Sequence, residues 1–312
     1  MHAFYGLDEA GFGPNLGPLV VSVTRWRVPR AASGIDLYEE LAEVVSIEAD
    51  ASGTRLHLAD SKVVYSPSRG LAALELSAQC LLRLAGIDAA TFHSVWIGLV
   101  GALPSDLEPW FLTDFAVPLA AKPGEIDRFV SGCRTAFDRR GIVLSAIASD
   151  IVQTRRFNEL TTFHDSKGAA LSRITLGLLG RNWTHQQIDK ALVILDKHGG
   201  RNRYDNLLMS EFPDILPQCL GEGRECSRYR LGPHEFRFQM KAEAHLPVAA
   251  ASIISKYVRE LAMEAFNRFW LAHDPGLRPT KGYPGDASRF RTDVQALQAR
   301  LEIPDDVFWR SR

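Results

Sequence analysis

Asp8 and Glu9 stand side by side at the end of an apolar run and just before Gly11-Phe12-Gly13-Pro14. Adjacent acids on a regular strand point to opposite faces. Glycines just beyond let the backbone bend so that both carboxylates can serve one site, and let a ligand approach closely. The same pair would also suit a solvated strand end. Asp196 closes the apolar run 191–195 and precedes Lys197-His198-Gly199-Gly200. Sites in open α/β sheets form where strands end, although an acid there can also cap the next loop. Glu243 lies just ahead of a long amphipathic segment, where the helix dipole also favours an acid. Ser252 and Lys256 are four apart, so they share a helix face near its start, where free N–H groups favour anions such as phosphate. Asp60-Ser61-Lys62 and Lys281-Gly282-Tyr283 are polar turns, and Arg201-Asn202-Arg203 adds local positive charge.

These residues need a scaffold. Residues 4–9 and 18–28 read as a β-hairpin around a glycine- and proline-rich turn, the second strand rich in β-branched side chains. Residues 36–48 carry helical spacing (Leu37, Leu41, Val44, Val45), and Pro67 marks a helix start before Leu71, Leu74, Leu81 and Leu82. The stretch 88–130, with four prolines and two tryptophans, reads as an irregular insertion. Beyond it the pattern predicts a strand over 142–151, a long helix over 155–182, a buried strand over 191–196, a short strand over 236–241 and an amphipathic helix over 247–271. Strands alternating with helices after an opening hairpin imply an α/β domain with a mixed sheet.

Composition narrows the function classes. The 312 residues hold 46% hydrophobic and 23% charged side chains, ordinary for a soluble globular protein. No stretch approaches the roughly 20 apolar residues of a membrane span, and residues 1–6 lack the pattern of a secretory signal. Cys80, Cys133, Cys219 and Cys226 show no zinc spacing, so reduced thiols in a cytoplasmic protein are expected. With 36 basic and 37 acidic residues the formal net charge is −1. A protein that merely coats nucleic acid is usually strongly basic, whereas a nuclease can combine a basic groove with its own carboxylates.

The order of the pieces carries more than any one of them. Asp-Glu-Ala-Gly-x-Gly-Pro-x-x-Gly-Pro at 8–18, Asp-Ser-Lys at 60–62, an apolar strand ending in Asp196, Lys-Ala-Glu-Ala-x-x-Pro-Val-Ala-Ala-Ala-Ser-Ile-Ile-Ser-Lys at 241–256, and Lys-Gly-Tyr-Pro at 281–284 follow one another along the chain. Together they resemble the type 2 ribonuclease H family. The matched blocks cover about a third of the chain, and the first and fourth are the specific ones.

That resemblance implies an α/β, ribonuclease H-like mixed β-sheet flanked by helices, with C-terminal helices and insertions at about 31–55 and 88–141. Residues 1–273 would form the catalytic domain and 274–312 a substrate-contacting extension of it. It implies that Asp8, Glu9, Asp196 and Glu243 are catalytic and bind metal, with Gly11, Phe12, Gly13 and Tyr283 at the ribonucleotide and Lys62, Ser252 and Lys256 near backbone phosphates. Such acids suit Mg²⁺ or Mn²⁺, and converging without a cation they would repel one another and raise some of their pKa values. Two ions about 4 Å apart would support in-line hydrolysis, leaving a 5′-phosphate and a 3′-hydroxyl. The implied substrate is an RNA–DNA hybrid or a ribonucleotide embedded in duplex DNA. This chain departs from the family pattern at Phe12, where Arg is usual, at Glu243, where Asp is usual, and at 197–200. A structure-selective DNA nuclease on the same fold and a non-catalytic hybrid-binding protein remain open alternatives.

Overall fold

The computed structural model describes residues 2–29, 34–66, 68–183 and 190–311; Pro67 lies outside them. The opening hairpin forms as the β-branched pattern predicts, with β1 (His2–Ala10) antiparallel to β2 (Leu19–Val28). A short helical turn α1 (Leu37–Glu40), the two-residue strands β3 (Val45–Ser46) and β4 (Leu56–His57), and α2 (Ser61–Val64) follow. Next come α3 (Ala72–Leu84), α4 (Phe92–Val100), α5 (Pro123–Arg140), β5 (Val143–Val152), α6 (Thr154–Phe163) and α7 (Lys167–Arg181). The remainder is β6 (Lys190–Asp196), α8 (Asp205–Glu211), β7 (Gln218–Gly221), β8 (Cys226–Leu231), β9 (His234–Gln239), α9 (Leu246–His273), α10 (Pro284–Arg300) and α11 (Asp305–Phe308).

Seven strands form one mixed sheet in the order β5-β2-β1-β6-β9-β8-β7. β1 pairs parallel with β6, and β6 parallel with β9; the other pairings are antiparallel. Helices cover both faces, as expected. The alternation of β1 splits its side chains between two cores: Phe4 packs in the cluster beneath α9, while Ala3, Tyr5 and Leu7 join the cluster that contains α7.

Several local readings change. The helical spacing over 36–48 gives only the single turn of α1, because Val45 and Leu56 are buried by pairing β3 with β4; tertiary burial outweighs spacing there. The helix expected over 155–182 is two helices. Asp165 takes a left-handed φ of 53°, and the Ser166 side chain caps α7 by accepting from the Ala169 amide at 3.0 Å. The stretch 88–130 is more regular than expected. It contains α4, a 3₁₀ turn over Pro109–Phe111 and the start of α5, and its Trp110 packs 4.9 Å from Phe266 of α9 within the same core.

Candidate active site

The register of the central strands gathers the acids. Leu7 lies opposite Leu195, the last pair of the parallel β1–β6 ladder, so Asp8 and Asp196 stand at one level just beyond it, Asp196 at the end of β6 and Asp8 two residues before the end of β1. Asp196 in turn lies opposite Gln239 of β9. Lys241, in the left-handed region at φ 56°, turns the chain into a 3₁₀ turn, Ala242–Ala244, that presents Glu243 at the same end of the sheet. Glu243 therefore sits in its own turn and not in the first turn of α9. The Ser255 hydroxyl of α9 bonds the Asp8 carbonyl at 3.0 Å and the Ser22 hydroxyl at 2.8 Å, fixing β1 against the helix where the acid stands.

The four acids and Lys62 share one electrostatic neighbourhood. Burial, followed by repulsion from Glu9, pushes the Asp8 carboxyl well above the ordinary range, against hydrogen bonds from Ser252 and the Glu9 amide. Burial and then repulsion from Asp196 raise Glu9 to about 7, with Glu243 adding to the rise and Lys62 opposing it. Asp196 is raised by burial and by Glu243. Burial works against the charge of Lys62, but Asp60, Asp8, Glu243 and Glu9 together hold its pKa above the usual lysine value. Asp8, Glu9 and Asp196 each keep part of their surface exposed, so water and ions can reach them. The repulsion makes this a place that a cation would stabilise.

Beside the acids runs a cleft of about 530 Å³ lined by Glu9, Gly11, Phe12, Gly13, Lys62 and Tyr283, among others. Its loop, residues 11–17, is held closely. Gly11 has φ +91°, and a Cβ there would meet the Pro18 carbonyl oxygen at 2.6 Å. Gly282, at φ +79°, accepts the amides of Asn15 (2.8 Å) and Leu16 (3.3 Å), and a Cβ on it would meet the Leu16 oxygen at 2.5 Å. Only glycine fits either position without strain. Tyr283 stands at the start of α10 with half its surface in solvent.

The structure brings Gly11, Phe12, Gly13, Lys62, Lys256 and Tyr283 to one cleft. Ser252 lies behind its wall: it is buried, and its hydroxyl meets the Ser61 amide at 3.3 Å and hydroxyl at 3.0 Å. It docks the Asp60-Ser61-Lys62 turn, whose Asp60 side chain accepts from the Lys62 amide, onto α9. Phe12 turns partly inward onto the second core cluster. Sequence reasoning missed Glu260, which receives Lys256 and Lys281, both at 2.7 Å, and the Tyr65 hydroxyl at 3.0 Å in the cleft wall. The i, i+4 spacing of Lys256 and Glu260 was the available signal. It also missed Arg259, buried under the loop and donating to the Leu16 and Lys281 carbonyls at 3.3 and 3.2 Å.

The donor set fits a hard divalent cation by type, being four carboxylates at one sheet end. Among the described residues no three His, Cys, Asp or Glu side chains close into a cage.

The fold and site thus define an α/β protein with a carboxylate cluster at the strand ends beside a cleft with basic residues in its wall. No family model and no curated protein matches the chain. Among solved structures it is similar to ribonuclease HII from Archaeoglobus fulgidus, solved in complex with PCNA, at 17% identity over 99% of this chain and 94% of that one, with a TM-score of 0.43. It is also similar to ribonuclease H2 from Pyrococcus horikoshii, at 15% identity over 98% and 92% with a TM-score of 0.43. A third is ribonuclease H3 from Aquifex aeolicus, at 15% identity over 98% and 71% with a TM-score of 0.40. These likenesses are distant, and the functional reading stands on the site itself. Among the described residues no helix is long and apolar enough to cross a membrane.

Proposed function

We propose that this protein is a metal-dependent endoribonuclease of the type 2 ribonuclease H kind, cutting RNA in RNA–DNA hybrids or at ribonucleotides embedded in duplex DNA. The supporting observation is the alignment of Asp8 with Asp196 on parallel strands, with Glu9 and Glu243 in the same electrostatic cluster. In this reading Asp8, Glu9, Asp196 and Glu243 hold Mg²⁺ or Mn²⁺. Bound there, the ions would lower the pKa of an attacking water and neutralise charge on the leaving 3′ oxygen. The protein's own part is placement. Lys62 and Lys256 offer positive charge to backbone phosphates. The main-chain groups of Gly11, Phe12 and Gly13 and the Tyr283 hydroxyl face the sugar, whose 2′-hydroxyl distinguishes RNA from DNA. Ser252 acts indirectly, by docking the turn that carries Lys62.

The products would carry a 5′-phosphate and a 3′-hydroxyl. Residues 1–273 would be the catalytic domain and 274–312 its substrate-contacting extension. All four cysteines are free, which suits a cytoplasmic setting. The deciding assay compares cleavage of an RNA–DNA hybrid with cleavage of a DNA four-way junction in Mg²⁺. Hybrid cleavage supports the reading. Cleavage of the junction alone would replace it with a DNA nuclease, and binding of the hybrid without any cleavage would replace it with a binding protein.

A further inference from the structure

Segment 305–311 runs back from α10 to the loop at 11–17. The Arg310 guanidinium is fully buried, and its Nη1 and Nη2 donate to the carbonyl oxygens of Gly11 at 2.5 Å and Phe12 at 3.3 Å. Its backbone amide donates to Asn15 at 2.9 Å, and the Asn15 side-chain amide returns a bond of 3.4 Å to the Arg310 carbonyl. The guanidinium also lies 3.8 Å over the Phe157 ring of α6. Asn158 secures the segment from the same helix. It donates to the carbonyls of Asp306 at 3.0 Å and Trp309 at 2.9 Å, and it accepts the Ser311 amide at 2.7 Å.

Burying a charge without an ionic partner is costly. Among the described residues no carboxylate forms an ion pair with Arg310. Burial, and then repulsion from Arg259, lower its pKa to about 9, with Glu108 opposing. A fold that keeps such a group obtains something else from it, and departures of this kind gather at functional sites. Here the group meets the carbonyls of the two residues that begin the cleft loop. The Phe12 side chain itself packs against the second core cluster. A guanidinium reaches the same loop from behind, from position 310.

We infer that Arg310 is a positioning residue: it holds the Gly11-Phe12-Gly13 backbone in the orientation that reads the ribose, an inference that rests on the ribonuclease reading above. Arg259 and Gly282 bond the loop at Leu16 and Asn15, whereas the carbonyls of Gly11 and Phe12 at its cleft end accept from the Arg310 guanidinium.

The test has one arm independent of the ribonuclease reading and one that depends on it. Hydrogen exchange is measured on the wild type, Arg310→Met and Arg310→Lys. Affinities for an RNA–DNA hybrid and for a DNA duplex of the same sequence are measured in EDTA. Arg310→Met is expected to speed exchange roughly tenfold or more at 11–16 while the β1–β6 amides stay protected, since bonds to a charged donor are lost. Its preference for hybrid over DNA should fall by a similar factor with DNA affinity kept, and Arg310→Lys should recover part of both. Unchanged exchange at 11–16 in a folded variant would overturn the clamp. Faster exchange with unchanged preference would overturn its link to the ribose. If both variants exchange faster throughout, Arg310 is a general packing residue and the inference fails. A wild type with no hybrid preference would count against the ribonuclease reading, while the exchange arm still judges the clamp.

Discussion

Asp8 and Asp196 stand at one level on adjacent parallel strands, a residue beyond the Leu7–Leu195 pair that closes their ladder. Two carboxylates so placed, with Glu9 and Glu243 beside them, repel one another unless a cation intervenes. Mg²⁺ or Mn²⁺ should therefore raise the melting temperature of the wild type, because a ligand of the folded state stabilises it. Asp8→Asn should remain folded, melt no lower than the wild type in EDTA, and gain less from the ion. Calorimetry with and without Mg²⁺ checks this, and an equal gain in both proteins would remove Asp8 from the metal site.

Glu260 gives a pH dependence of definite sign. Burial alone would raise its pKa, but Lys256 and Lys281 outweigh that and hold it at about 2, below the ordinary 4.5. A depressed carboxylate contributes stability above about pH 4.5 and loses it as pH falls toward 2. The contribution is about 2 kcal/mol, reduced because Lys281 is half in solvent. Glu260→Gln should thus be less stable than the wild type at pH 7, with the gap narrowing below pH 4.5. Denaturant titrations at several pH values measure it, and a gap independent of pH would contradict the assignment.

Tyr283 keeps half its surface exposed, so its removal should leave packing almost unchanged. Tyr283→Ala is expected to reduce cleavage at a single embedded ribonucleotide while shifting stability by no more than about 0.5 kcal/mol, the range of surface substitutions. A large fall in melting temperature with cleavage retained would make it a packing residue instead.

Glu243 contributes to the raised pKa values of Asp8, Glu9 and Asp196 from its present 3₁₀ turn. If the 3₁₀ turn offsets the longer side chain, shortening it should harm the site. Glu243→Asp would draw the carboxylate back by about one carbon–carbon bond, and a displacement near 1 Å can cost on the order of 10²-fold in rate. Steady-state kinetics should show lower activity in Mg²⁺; a gain would mean the natural site is poorly fitted.

Much of this was legible because it is local. The β-branched run of β2, the apolar run before Asp196 and the helical face of α9 each appear in consecutive residues. The missed features depend on partners far along the chain. Arg310 reads as one basic residue after Val307-Phe308-Trp309, and nothing nearby says that it is buried against Gly11. β7 and β8 were not expected, since Gln218–Gly221 lies at the sheet edge with largely exposed residues and lacks an apolar run. Ser252 was placed near phosphate because it shares a helix face with Lys256, but spacing cannot show that Ser61 packs over it. The break after α6 was hidden because Ser166 reads equally well inside a helix until its capping bond to Ala169 is seen.

The most direct measurement is cleavage of a 5′-labelled RNA–DNA hybrid by the wild type and Asp196→Asn, in Mg²⁺ and in Mn²⁺, with end-group analysis of the products. The wild type should cut within the RNA strand, only with a divalent ion present, leaving 5′-phosphate and 3′-hydroxyl ends. Asp196→Asn should fold normally and lose activity by about 10²-fold or more, the scale seen when one group stabilising transition-state charge is removed. A wild type that cuts no RNA-containing duplex with either ion, or an Asp196→Asn protein with full activity, would contradict the assignment.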